Sequence, residues 1–208
     1  MSGVEKPNNI RTVLHEILRP ITSKIAVATS GGIDSASLVM AAKDLGKKQI
    51  IVSFTFDDFE SHDFRSARRL ATYYDLKFLP VILPSDQNEI VETVHYLIKE
   101  IKCKKKSAIE CMFPFVYLLK VLKKNKIDML VTGLAADGHF GLSKKAMIHY
   151  SKDDKKFKQL RQEYFSTYES AHIIRLYKLC HKYEIGLFNP YFHPWVFDLW
   201  IEELARTK

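Results

Sequence analysis

The fold turns on Lys24-Ile25-Ala26-Val27-Ala28-Thr29-Ser30-Gly31-Gly32-Ile33-Asp34-Ser35-Ala36-Ser37-Leu38-Val39. Residues 24–29 are a short β-rich run that enters a pair of glycines. Beyond them, residues 35–45 place Ala36, Leu38, Val39, Ala42 and Leu45 at helical spacing, and Gly46 closes the helix. Residues 49–56 then read as a second buried strand. Strand, glycine loop, helix and strand in this order form one crossover unit of a parallel sheet.

The same alternation continues outward. Upstream, Ile10, Val13, Leu14, Ile17 and Leu18 give a helix over residues 9–18 that Pro20 ends. Downstream, residues 62–74 carry Phe64, Ala67, Leu70 and Ala71 on one helical face, and residues 77–83 return to strand. Long helices follow at 85–102 and 109–125, then a short strand at 129–132. Beyond Gly141 the pattern is mostly helical, over 152–169, 171–181 and 194–205, with a proline-bearing turn at 189–193. The expected fold is α/β, a parallel twisted sheet with helices on both faces and a mostly helical C-terminal part. No repeat or linker divides residues 1–208, so one domain is expected.

Composition bounds the function. With 47% hydrophobic and 12% aromatic residues, the 208-residue chain can build a substantial core. No uncharged apolar run approaches membrane-span length, and the first nine residues lack a signal-peptide core, so a cytoplasmic protein with no membrane partner is expected. Cys103, Cys111 and Cys180 are widely spaced and form no C-x-x-C pair, which argues against a zinc knuckle or redox couple. They read as free thiols in packing roles. The net charge of +8 favours phosphorylated ligands. Lysine runs at 102–106, 120–126 and 144–158 fit either a nucleic-acid surface or solvated helix faces.

In a parallel sheet, ligands bind beyond the carboxyl ends of strands, which is where the glycine loop falls. Gly31 and Gly32 let the backbone approach a phosphate closely and aim N–H groups at it. The helix that follows adds its positive end, and Ser30 and Ser35 add hydroxyl donors. A carboxylate beside phosphates needs an intervening cation, so Asp34 reads as a Mg²⁺ ligand, or else as a helix cap.

The string from Ser30 to Ser35, in this context, resembles the pyrophosphate loop of the PP-loop ATP pyrophosphatases, a Rossmann-like superfamily that includes asparagine, NAD and GMP synthetases and tRNA thiolation enzymes. A Walker loop is absent. A second stretch, Thr132-Gly133-Leu134-Ala135-Ala136-Asp137-Gly138-His139-Phe140-Gly141, is similar to the S-G-E-G-S-D-E-x-F-G-G loop of the asparagine and β-lactam synthetases. Gly133, Asp137, Phe140 and Gly141 match. A third likeness is Ser61-His62-Asp63 with Ala67 and Leu70-Ala71, where that branch has S-x-D and an alanine-spaced helix.

The resemblance implies that Ser30, Gly31, Gly32, Ser35 and Gly133 hold ATP, that Ser53, Phe54 and Thr55 flank the adenine, and that Asp34 and Asp137 share Mg²⁺. Lys144 and Lys145 are the candidates to neutralise the departing pyrophosphate. His139 and His149 read as local hydrogen-bonding groups rather than bases. The implied reaction is adenylation of a carboxylate or amide oxygen, with AMP then displaced by a nitrogen nucleophile.

Departures from the branch narrow this. Leu134 stands where asparagine synthetases have a glutamate. The segment Gly186-Leu187-Phe188-Asn189-Pro190-Tyr191-Phe192-His193 keeps only the proline and an aromatic of E-x-R-x-P-F-L-D. Aspartate is therefore not the expected acceptor. No glutaminase domain precedes the loop, so the expected nitrogen source is ammonia, an amine, or a separate glutaminase. Three alternatives stay open: a nucleic-acid base modifier that amidates or thiolates, an NAD synthetase-like amidation, and a nucleotide-binding module without catalysis. The lack of an iron-sulfur cysteine spacing argues against thiolation.

Overall fold

The structure, a computed structural model, describes residues 9–136, 155, 156, 159, 170–196 and 199. Five strands, β1 (Ile25–Ala28), β2 (Gln49–Phe56), β3 (Lys77–Leu83), β4 (Met129–Val131) and β5 (Gly186–Phe188), form one sheet in the order β3-β2-β1-β4-β5. Every pairing is parallel. The expected α/β parallel sheet is present, with helices on both faces.

Side-chain alternation along the strands divides the core. Ile25, Val27, Ile51 and Val131 face α1 (Ile10–Leu18), α2 (Ile33–Asp44) and α3 (His62–Tyr73). Ala26, Ile50, Val52, Val81 and Leu130 face α4 (Gln87–Lys99), α5 (Lys106–Lys124) and α6 (Ser170–Lys182). The central strands are buried on both sides, so they read as continuous apolar runs rather than alternating ones. Each fully buried leucine, isoleucine or valine contributes roughly 1.5–3 kcal/mol relative to exposure.

Four helices hand over to the next strand by the same device. Gly46, Asp75, Lys126 and Glu184 have φ of 64°, 54°, 53° and 56°. Each donates to the carbonyl three residues back, and its successor donates to the carbonyl five residues back, as in Lys126 to Lys123 and Ile127 to Leu122 at 3.1 Å each. This is the Schellman closure, and it turns the chain sharply enough to enter β2, β3, β4 and β5 with short connections.

Some boundaries differ from expectation. The helix after the glycine loop starts at Ile33, two residues early, because Gly32 caps it. The helix expected over 85–102 ends at Lys99, where Lys102 at φ 63° turns the chain and the Cys103 amide donates to Leu97 O at 3.0 Å. α5 begins three residues earlier than expected and runs through Pro114, whose ring is buried. Strand β5 was not anticipated: three residues carry no readable period, and it exists by pairing with β4. The proline-bearing turn is a 3₁₀ helix, Pro190–Phe192. Of the helix expected over 152–169, Lys155, Lys156 and Gln159 are helical and the rest lies outside the described residues.

Candidate functional site

The order of the sheet reverses between β1 and β4. From β1 the chain steps to β2 and β3, then returns to lay β4 on the other side of β1. Loops leaving β1 and β4 therefore sit side by side at the carboxyl edge, the place where open parallel sheets bind ligands.

The first loop is shaped by its glycines. Thr29 N still donates to Val52 O at 2.9 Å, after which the chain leaves the sheet. Gly31 has φ 76°, and a Cβ there would come within 2.3 Å of Ser66 Cβ on α3. Glycine is thus required both by the dihedral and by the close approach. Gly32 N donates to Ser30 Oγ at 3.3 Å, and the buried Ser35 hydroxyl donates to Gly32 O at 3.2 Å. These bonds fold the loop onto the start of α2.

α2 opens differently from its neighbours. Asn9, Ser61 and Asp86 cap α1, α3 and α4 by accepting from Thr12 N, Phe64 N and Glu89 N. Gly32 has no side chain to do so. The positive end of α2 consequently faces the loop rather than a protein cap. Asp34 lies in its first turn and lines the cleft.

The second loop is seated on the first. A Cβ on Gly133 would lie 3.5 Å from Ser35 N and 3.7 Å from Asp34 Cβ, so the first turn of α2 lies within one methyl group's reach of the second loop. Behind it, Thr132 N donates to Phe188 O at 3.1 Å and the Thr132 hydroxyl donates to Asn189 Oδ1 at 2.6 Å. Two residues on, the Tyr191 hydroxyl donates to Asp34 O at 2.9 Å. Burial, together with the charge of Asp34, pushes the Tyr191 phenol well above its ordinary range.

Together these loops wall a cleft of about 450 Å³, within the range of small-molecule sites. Its apolar side is Ala28, Val52, Phe54, Phe56, Leu83 and Phe115; its polar side includes Ser30, Asp34, Ser61, Asp63 and Thr132. Phe54 and Phe56 are partly exposed, at 36% and 43%, so ring faces are accessible. Ser53 and Thr55 alternate with them and are buried. The Thr55 hydroxyl donates to Phe59 O and accepts from Ser61 N at 3.0 Å, which ties the loop 57–61 down before α3.

The structure thus brings together Ser30, Gly31, Gly32, Asp34, Ser35, Gly133 and the 53–55 strand end. Asp137, His139, Lys144, Lys145 and His149 lie outside the described residues. Among the described residues no group of three or more potential metal ligands occurs, and no helix is long and apolar enough to cross a membrane. Cys103 and Cys180 are buried free thiols, and burial pushes the Cys180 thiol up to about 12. Sequence reasoning missed Phe115, Asn189 and Tyr191. Phe115 carries no local signal beyond an aromatic on a helix, whereas the Asn189-Pro190-Tyr191 turn was visible but its contacts were not.

The asparagine synthase family model matches residues 22–187. The chain belongs to the asparagine synthase family, and with it to the PP-loop domains that use ATP. No curated protein matches the sequence. Among solved structures it is similar to the U34-tRNA thiolase NcsA from Methanococcus maripaludis with its 4Fe-4S cluster, at 16% identity and TM-score 0.47, over 95% of this chain and 63% of that one. It is also similar to a predicted subunit of tRNA methyltransferase from Methanocaldococcus jannaschii, at 16% identity and TM-score 0.45, over 88% of this chain and 74% of that one. The chain thus spans less than two thirds of the length of the first of these.

Proposed function

We propose that the protein uses ATP to adenylate an acceptor oxygen, releasing pyrophosphate, and that a nitrogen nucleophile then displaces AMP. The observation that carries this reading is the junction of the two loops: a glycine pair at a helix start without a side-chain cap, with Gly133 beside its first turn. That arrangement suits phosphate groups, because backbone N–H donors and a helix dipole converge there.

Family membership supports ATP as the substrate. In this reading Gly31, Gly32 and the Ser30 hydroxyl hold the β and γ phosphates, Gly133 keeps the second loop close, and Ser35 closes the turn. Phe54 offers its ring to the adenine, with Ser53 and Thr55 contributing backbone groups. The acceptor oxygen attacks the α phosphorus, the bond to the bridging oxygen breaks, and pyrophosphate leaves with the electron pair. Lys144 and Lys145 are proposed to meet the charge that builds on it. Asp34 lines the cleft as a hard oxygen donor suited to Mg²⁺, and Asp137 is proposed as its companion; the ion would neutralise phosphate charge.

Leu134 lines the cleft where asparagine synthetases carry a glutamate, which supports an acceptor other than aspartate. Ammonia, an amine or a separate glutaminase supplies the nitrogen. The test is product analysis: incubation with ATP, Mg²⁺, ammonium and candidate acceptors is expected to yield AMP and pyrophosphate in equal amounts. Sustained release of ADP and phosphate instead would overturn the reading.

A further inference from the structure

We propose that the face formed by the segment 102–106 and α6 holds a nucleic-acid strand, and that the acceptor enters the cleft as part of that strand. This rests on the adenylation reading above and names its substrate class.

The segment 102–106 holds four exposed lysines, Lys102, Lys104, Lys105 and Lys106, around the buried Cys103. One contact ties the chain just before it to α6, where Glu100 accepts from Lys182 at 2.7 Å. Cys103 is buried in the core cluster that also holds Leu176, Leu179 and Cys180 of α6. Two acids flank the segment in sequence among the described residues. Glu100 is engaged by Lys182, and Glu110 faces Lys106 at 3.6 Å as an exposed pair of little energetic weight. Lys102, Lys104 and Lys105 leave a positive excess, and Lys178 on α6 is also exposed.

The basic character continues along α6, where Arg175, Lys178 and Lys182 recur at three- and four-residue spacing on one side of the helix. Ile174 and Tyr177, 53% and 50% exposed, lie further round the helix. A positive track of this kind binds a strand's phosphates without sequence preference. It differs from a membrane-surface helix, which needs a continuous apolar stripe. α6 spends its stripe, Ile173, Leu176, Leu179 and Cys180, on the core.

Position connects this face to the chemistry. α4, α5 and α6 cover the same face of the sheet, and the apolar side of the cleft opens on that face through Val52, Phe54, Phe56, Leu83 and Phe115. Lys106 and Phe115 lie on one helix, about 14 Å apart along its axis. A strand anchored on the lysines needs only a few nucleotides to bring a base to the cleft. Extruding a base into a pocket is how enzymes reach its reactive atoms.

Fluorescence anisotropy with labelled single-stranded RNA and DNA, titrated against salt and without ATP, tests the proposal. Wild type is expected to bind, and the combined Lys102→Ala, Lys104→Ala and Lys105→Ala variant to bind at least about tenfold more weakly, with a salt slope shallower by about two, since each phosphate contact contributes about 0.7. Arginine at the same three positions is expected to restore binding, and all forms to retain ATP and an unchanged melting temperature. Absence of salt-sensitive binding to either nucleic acid overturns the proposal, as does an unaffected alanine variant. So does retention on phosphatidylserine vesicles through these lysines in the absence of oligonucleotide binding. Lysine-dependent binding without any pyrophosphate release would leave the surface standing and remove the adenylation reading, so the two failures are distinguishable.

Discussion

The Tyr191 hydroxyl donates to the main-chain carbonyl of Asp34 at 2.9 Å across 157 residues of sequence. Tyr191 is buried in the core behind α2, so the bond works as an anchor from beneath rather than as a group facing the cleft. Asp34 is consequently held from the 3₁₀ turn after β5, while Asn189 in the same segment holds Thr132 of the second loop. One short stretch fixes both loops.

Tyr191→Phe keeps the ring and removes the bond. It is expected to cost about 1 kcal/mol of stability in denaturant unfolding, the worth of one buried hydrogen bond. Pyrophosphate release is expected to slow through a raised KM for ATP, read from initial rates. The phenol is held above its ordinary value in the folded state, so the folded state binds its proton more tightly. Its contribution is complete below the unfolded value of 10.0 and is lost as pH rises beyond it. The wild type should therefore destabilise above pH 10 more steeply than the Tyr191→Phe variant.

Gly31→Ala and Gly133→Ala separate crowding from ordinary contact. At Gly31 the added methyl meets Ser66 Cβ at 2.3 Å and the backbone sits at φ 76°, so a loss of roughly 2 kcal/mol or more and of ATP binding is expected. At Gly133 the nearest atom is 3.5 Å away, and stability should change by less than about 1 kcal/mol. Thermal melts with and without ATP read both. Equal tolerance at the two positions would contradict the packing of the first loop on α3.

Asp34→Asn retains the side chain's size but removes its charge. The proposal expects pyrophosphate release to fall by about a hundredfold or more, with the fold intact and ATP binding still detectable. A Mg²⁺ titration should show the variant needing more metal. Undiminished turnover would remove Asp34 from the site.

Lys126→Gly addresses the helix terminations. Lys126 sits at φ 53°, a region that costs a non-glycine residue about 1 kcal/mol, and its neighbour Gly46 performs the same task without that cost. The substitution is expected to raise stability by about 0.5–1 kcal/mol, seen as an upward shift in melting temperature. Activity should be unchanged, since the residue lies at the opposite edge of the sheet from the cleft.

The unit from β1 through β2 was legible because three signals coincide there: an apolar run, a glycine pair, and helical periodicity after it. Gly31 could be singled out from sequence, but its reason could not, since Ser66 lies 35 positions further along. β5 was illegible for an opposite cause. Gly186-Leu187-Phe188 has too few residues to display alternation, and its strand character comes from the Met129–Val131 partner. The early start of α5 was masked because Lys104, Lys105 and Lys106 show no apolar period, although burial of Ala108 and Met112 carries the helix there. Phe54 reaches the cleft from the end of β2, which strand periodicity makes legible, whereas Phe115 enters it from a helix whose orientation only packing determines.

The reversal in strand order also has a consequence for how the molecule comes into being. During synthesis β1, β2 and β3 emerge together and can pair at once, so the glycine loop exists while the later strands are still unmade. Until β4 arrives, one flank of β1 is bare, and until residues 186–191 follow, nothing underpins Asp34. A ribosome-bound intermediate would thus carry a glycine loop unable to hold its geometry. On the proposed reading, competence for ATP would appear abruptly, once residues 186–191 have emerged and β5 has closed the far side of the sheet.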